Sequence, residues 1–197
     1  MNRVVAISVT TIALLAHSAL VTSATGAGPR DRIAEIVAAA SAVINDGAVG
    51  EAEREQRVRA IIHDAFHFED MGRQALGPYW ANLTPAQRRE FVPLFTDVFE
   101  KSYNRLVLRF LGERTTTYLG ASTDQHQGVV ETMLEGGPGE RLPVTYRLAR
   151  RPGGWAVVDV IVDGVSLAGN YRAQFERIIR RSSYDTLLQR MQRLAQR

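Results

Sequence analysis

The chain of 197 residues contains no cysteine. Disulfides, Cys-ligated zinc, thiol catalysis and an N-terminal lipid anchor on cysteine are therefore excluded together. Acidic residues are missing from the first two dozen positions, and no histidine follows Ser166. Lysine occurs once, as Lys101, so arginine supplies nearly all of the positive charge. Nothing after the first two dozen residues reads as a linker, an internal repeat or a low-complexity tract.

What is present begins with Arg3, an apolar run from Val4 to Leu15 that weakens toward Val21, and Thr22-Ser23-Ala24. This is the outline of a secretory signal peptide over residues 1–24, with cleavage expected near Ala24 or Ala27 and an exported mature protein. His17 and the interspersed serines and threonines leave too short an apolar run for a membrane span. Residues 25–197 then form one domain, since 45% hydrophobic content at this length is compatible with a single sizeable core. Loss of residues 1–24 leaves 23 basic and 21 acidic residues, a near balance that argues against a nucleic-acid partner. The balance is uneven along the chain. From Arg172 to the C-terminus seven arginines meet only Glu176 and Asp185. Arg180, Arg181 and Arg190 on this face are expected to dock against anionic headgroups or an acidic partner.

Helical periodicity covers Asp31 to Ile44, a second segment from Glu51 through Ala65, and a short helix across Phe66 to Leu76. Thr84-Pro85-Ala86-Gln87 is a capped helix start, after which Phe91, Phe95, Phe99, Tyr103, Leu106 and Phe110 recur on one stripe as far as Gly112. At 1.5 Å per residue this helix is about 40 Å long. Pro93 inside it is expected to kink or offset the first turns. From Thr115 the period becomes alternating, with strands expected over Thr115 to Leu119, Gly128 to Glu135, Leu142 to Arg150 and Trp155 to Val162. The fold class is α+β, with helices on a curved four-stranded antiparallel sheet.

Three groups of residues invite a chemical reading. His63 and His67 stand at i and i+4 as metal ligands do, but Asp64 replaces the Glu of H-E-x-x-H, and interhelical packing is the better reading. Gly164 to Gly169 looks like a nucleophile elbow around Ser166. It lacks the required Gly at position 168, so Ser166 reads as the cap of the following helix. Asp159 interrupts an apolar strand, where an unpaired charge is costly. It should sit at a sheet edge or pair with an arginine, Arg172 being the plausible one. No catalytic group, metal site or cofactor site emerges.

The block from Trp155 to Phe175 reads W-A-V-V-D-V-I-V-D-G-V-S-L-A-G-N-Y-R-A-Q-F. With its Trp-led strand, D-G-V-S-L corner and N-Y-R-x-Q-F helix, it resembles the signature of the MlaC, or toluene-tolerance, family of periplasmic phospholipid-binding proteins. Phe66-x-Phe68-x-x-Met71, Leu76-Gly77, Trp80 and the segment from Thr84 to Gly112 match as well. The resemblance implies a monomeric, non-enzymatic lipid carrier whose sheet and helices enclose an apolar cavity. It would shuttle phospholipid between an outer-membrane lipoprotein complex and an inner-membrane ABC transporter complex, maintaining outer-membrane lipid asymmetry. Hopanoid-linked relatives share the signature, so a hopanoid or other isoprenoid lipid is the alternative cargo; a lipid hydrolase or a ligand-free interaction domain are the alternatives from other classes.

Joined to this resemblance, the apolar faces become a cavity hypothesis. The long helix supplies Phe95, Phe99, Tyr103, Leu106 and Phe110, and the strands supply Met133, Tyr146, Val160 and Val162. The corner and last long helix add Val165, Leu167, Ala168, Tyr171 and Phe175. Burying two acyl chains of about 15 methylenes gains on the order of 20 kcal/mol, so a soluble shuttle must enclose the tails and leave the headgroup outside.

Overall fold

In the computed structural model, residues 27–112 and 114–196 are described; the expected signal peptide lies outside them. Among the described residues, six α-helices flank a five-stranded sheet in an α+β arrangement. Helix α1 (Pro29–Asn45) starts on Pro29 and runs slightly beyond its sequence-based bounds, while α2 (Glu51–Ala65) carries Glu51 and Glu53 in its first turn. The chain then leaves the helix: Phe66 makes a parallel bridge to Val157, and His67 donates its backbone N–H to the Val157 carbonyl at 2.9 Å. Only after that does α3 (Phe68–Leu76) begin, followed by a 3₁₀ turn, Gly77–Asn82. No helix among the described residues is long and apolar enough to cross a membrane.

This break corrects the shared-face reading of His63 and His67. His63 lies in the last turn of α2 and its Nδ1 is 2.7 Å from Glu100 Oε1, whereas His67 caps α3 by accepting from the Asp70 N–H at 3.3 Å. That acceptance requires an unprotonated ring nitrogen. Burial first, and then Arg151 and Arg73, hold the His67 pKa below the usual 6.5, which favours the neutral ring this cap needs, while the Asp70 carboxylate is engaged by Arg73 and Arg151.

Helix α4 (Pro85–Phe110) opens with a capping box in which the Gln87 N–H reaches Thr84 Oγ1 at 3.2 Å and Gln87 Oε1 accepts the Thr84 N–H at 2.9 Å. It remains helical through the exposed Pro93. Phe91, Phe95, Phe99 and Tyr103 are four residues apart and so fall on one face. Their successive ring centroids are 5.8, 5.9 and 5.4 Å apart. Phe66, Phe68, Trp80 and Phe175 close around this ladder as the core. Glu100, 4% exposed, is held by Arg59 at 3.0 Å and by His63, which ties α4 to α2.

The strands are β1 (Thr115–Thr123), β2 (Gln127–Glu135), β3 (Arg141–Arg151), β4 (Gly154–Val162) and β5 (Val165–Ser166), paired antiparallel in sequence order. The fifth strand was not expected, because two residues cannot display an alternating pattern. It exists because Asp163 and Gly164 take φ values of 49° and 78°, the left-handed pair that lets an Asp-Gly turn fold β5 back on β4. Buried positions in β2 are Gly128, Val130, Thr132 and Leu134, which marks the face turned toward the helices. In β4 an extra residue at Val158 shifts the register, so that Val157 and Val160, three apart, share one face opposite Leu148 and Tyr146. Helices α5 (Leu167–Arg181) and α6 (Tyr184–Ala195) complete the chain. α4 packs on α2, α3 and α6, while α5 and α3 pack together against β4.

Candidate functional site: two clefts beside the long helix

The burial of α4 falls along its length. Phe91, Phe95 and Phe99 are inaccessible, whereas Leu106, Val107, Leu108 and Phe110 are only half-buried. Beside this looser half lie two clefts. The first, about 50 Å³, separates α4 from the sheet and is lined by Tyr103, Leu106, Val107, Phe110 and Leu111 on one side and by Leu134, Leu142, Val144, Tyr146 and Val162 on the other. Every lining side chain except the two tyrosines is a hydrocarbon. Burial pushes the Tyr103 hydroxyl well above its usual pKa, and that of Tyr146 up to about 12.

The second cleft, about 570 Å³, lies between α4 and α5. Val98, Phe99, Leu106, Leu167 and Leu194 supply apolar walls, and Lys101, Arg105, Asn170 and Gln174 a polar rim. Ser102 Oγ donates to the Phe99 carbonyl at 2.9 Å, which leaves the Tyr171 hydroxyl to donate to Ser102 across 2.7 Å. Lys101 donates to the Ala195 carbonyl at the end of α6. Tyr103 and Leu106 line both clefts and form the wall between them. Neither lining contains a carboxylate or a histidine, so neither offers a general base of the usual kind.

The structure thus brings Phe99, Tyr103, Leu106, Phe110, Tyr146, Val162, Leu167 and Tyr171 to the clefts. Phe95, Val160, Ala168 and Phe175 are buried in packed surroundings instead. Val165 stands exposed at the β4–β5 turn, and Met133 falls with Val129 and Glu131 on the sheet face away from the helices. Leu142 and Val144, whose alternation with Thr145 is visible in the sequence but which were not expected in the cavity lining, lie on the same face of β3 as Tyr146. Lys101, Arg105, Asn170 and Gln174 carried no such signal, because polar residues on an amphipathic helix resemble any solvated face. Arg180 and Arg181 close α5 beside an open groove with Ala173, Glu176 and Arg177, and Arg190 is exposed on α6.

The corner that aims α5 at the second cleft is built on Asp159. This carboxylate is 1% exposed and accepts from Ser166 Oγ at 2.7 Å and from the Ala168 N–H at 3.1 Å. Ser166 Oγ in turn accepts the Gly169 N–H at 2.9 Å, so the hydroxyl is a helix cap engaged on both sides. The expected Asp159–Arg172 pair does not form. The first turn of α5 presents its unpaired backbone N–H groups to Asp159, while Arg172 lies across Gly77. A Cβ at Gly77 would come within 2.7 Å of Arg172 Nε, and its φ of 55° suits glycine.

Residues 34–193 match the family model described as MlaC protein. A toluene tolerance protein, ttg2D, of Pseudomonas putida is 27% identical over 107 residues, which is 54% of this chain and 50% of that protein. The intermembrane phospholipid transport system binding protein MlaC of Haemophilus influenzae is 23% identical over 141 residues, or 66% and 62% of the two chains. The alignments thus span only about half to three-fifths of these curated relatives. A phospholipid-binding protein from Ralstonia solanacearum, solved in complex with a phospholipid, superposes with a TM-score of 0.74 at 22% identity, covering 86% of this chain and 97% of that one.

Proposed function

Since the chain belongs to the MlaC family, we propose that it is a periplasmic carrier that binds the acyl chains of a phospholipid and passes the lipid, chemically unchanged, between outer- and inner-membrane complexes. The observation that carries this reading is the pair of clefts sharing the Tyr103–Leu106 wall, one hydrocarbon-lined and one polar-rimmed. A lipid has the same two-part character, and the relatives' names point to the same cargo. About 50 Å³ holds only about four water-sized spheres, so the first cleft widens to admit a tail. The half-buried end of α4 is the part able to part from the strands, its other end being fixed by the aromatic ladder. The test is to purify the protein from its own periplasm, extract it and identify bound lipid by mass spectrometry. Phospholipid near one equivalent is expected, and a lipid-free protein overturns the carrier.

The same reading makes the protein a non-enzyme and leaves lipid asymmetry of the outer membrane as its role. Ser166→Ala should cost about 1–2 kcal/mol of stability through the lost cap, with lipid uptake retained and no fatty acid released from bound phospholipid. Ser166-dependent hydrolysis would refute it. Docking to an ABC transporter complex and to an outer-membrane lipoprotein complex, by a monomer, is assigned to the arginine face. Reversing Arg180, Arg181 and Arg190 to Glu should slow lipid transfer to anionic acceptor membranes or partner complexes roughly tenfold at low salt and less at high salt. Transfer rates indifferent to both changes would reduce these arginines to a solvated surface.

A further inference from the structure

The two phenols of the hydrocarbon cleft have no assigned task. Tyr103 and Tyr146 are 8% and 7% exposed and face the same cleft, close enough for their hydroxyls to influence each other. Two hydroxyls can exchange one hydrogen bond, because the oxygen that accepts still has its own proton to place. At least one O–H donor is therefore free to face the cleft, among Leu106, Val107, Phe110 and Val144, which offer it no acceptor side chain. Both groups stay protonated across physiological pH, since burial raises their pKa values. Tyr103 also lines the second cleft, so the spare donor stands where hydrocarbon walls give way to the rim of Lys101, Arg105 and Asn170. In a diacyl glycerophospholipid the carboxylic esters occupy that same junction, between tails and phosphate.

We propose that Tyr103 and Tyr146 form a hydrogen-bonding site for the ester carbonyl of a diacyl lipid, which makes the protein selective for ester-linked over ether-linked or purely hydrocarbon ligands. This rests on the carrier reading and adds the linkage chemistry of the cargo. Delipidated protein offered equal amounts of dipalmitoyl phosphatidylglycerol and its dihexadecyl ether analogue provides the test, with bound lipid quantified by mass spectrometry. One neutral hydrogen bond sets the scale, so wild-type protein should favour the diester about fivefold. In Tyr103→Phe/Tyr146→Phe the preference should fall to within about twofold through loss of diester uptake. Each single Tyr→Phe variant is measured alongside, and reads the same ratio if the double variant does not fold. Equal uptake of the two lipids by wild type, or an undiminished preference in the variants, overturns the ester site and leaves the carrier standing. Uptake of neither lipid by wild type overturns the carrier reading and the ester site with it.

Discussion

Leu106→Trp should reduce lipid uptake about tenfold or more, equivalent to about 1.4 kcal/mol, while the delipidated protein unfolds at much the same denaturant concentration. Leu106 is half-buried on the wall shared by both clefts, so an indole there takes up free volume and buries apolar surface that solvent now reaches. Acyl chain and indole then compete for one space. Val160→Trp is the contrasting variant. Val160 is 0% exposed, opposite Tyr146 in the ladder, and lines neither cleft. A larger ring must displace packed neighbours there, at about 1–3 kcal/mol or more. Paired denaturant melts and loading assays distinguish the sites. If Leu106→Trp unfolds as early as Val160→Trp and still loads lipid, the space beside α4 is ordinary core.

Asp159→Ala is expected to destabilise the protein by about 3–5 kcal/mol, because hydrogen bonds to a charged group are worth about 1.5–3 kcal/mol each and this carboxylate receives two. The alanine would leave the Ala168 N–H buried without its acceptor and free the Ser166 hydroxyl from one of its two partners. It would also remove a negative charge from the positive end of α5. The consequences reach the site, since Leu167, Asn170 and Tyr171 in the first turns of α5 wall the second cleft. Uptake should therefore fall together with stability. Asp159→Asn, which keeps an acceptor oxygen, should lose less of both. Urea denaturation of the two variants decides the matter: an alanine variant as stable as wild type would show that the corner is held by the turn and by packing alone.

The secondary structure was readable wherever a pattern repeats. The stripe from Phe91 to Phe110 and the Thr84-to-Gln87 cap specify α4 almost to its ends, because helical spacing and capping are local. Misplaced features depend on registers that the sequence does not display. Met133 and Leu134 are adjacent apolar residues, and only pairing with β3 determines which faces the helices. Asp159 was matched to a charge by proximity in sequence, but the bulge at Val158 and the tight turn at Asp163-Gly164 bring the backbone N–H of Ala168 to it first. The histidines at 63 and 67 keep helical spacing across a point where the chain leaves the helix to join β4. Half of the clefts' character, the apolar part, followed from periodicity; the rim did not, since its residues become distinctive only when α4 and α5 are set side by side.

Lys101 carries the one side-chain amine of the whole chain, and it stands on the rim of the second cleft. An amine-reactive fluorophore applied to this protein has a single lysine to modify, about one helical turn from Arg105 and two residues before Tyr103 on α4. Acylation there would break the hydrogen bond to the Ala195 carbonyl and release the end of α6 from α4. Native chemistry thus provides a reporter at the mouth without any engineered cysteine. Whatever occupies the cleft can be followed in solution as a change in that dye's emission or in the rate at which the amine reacts.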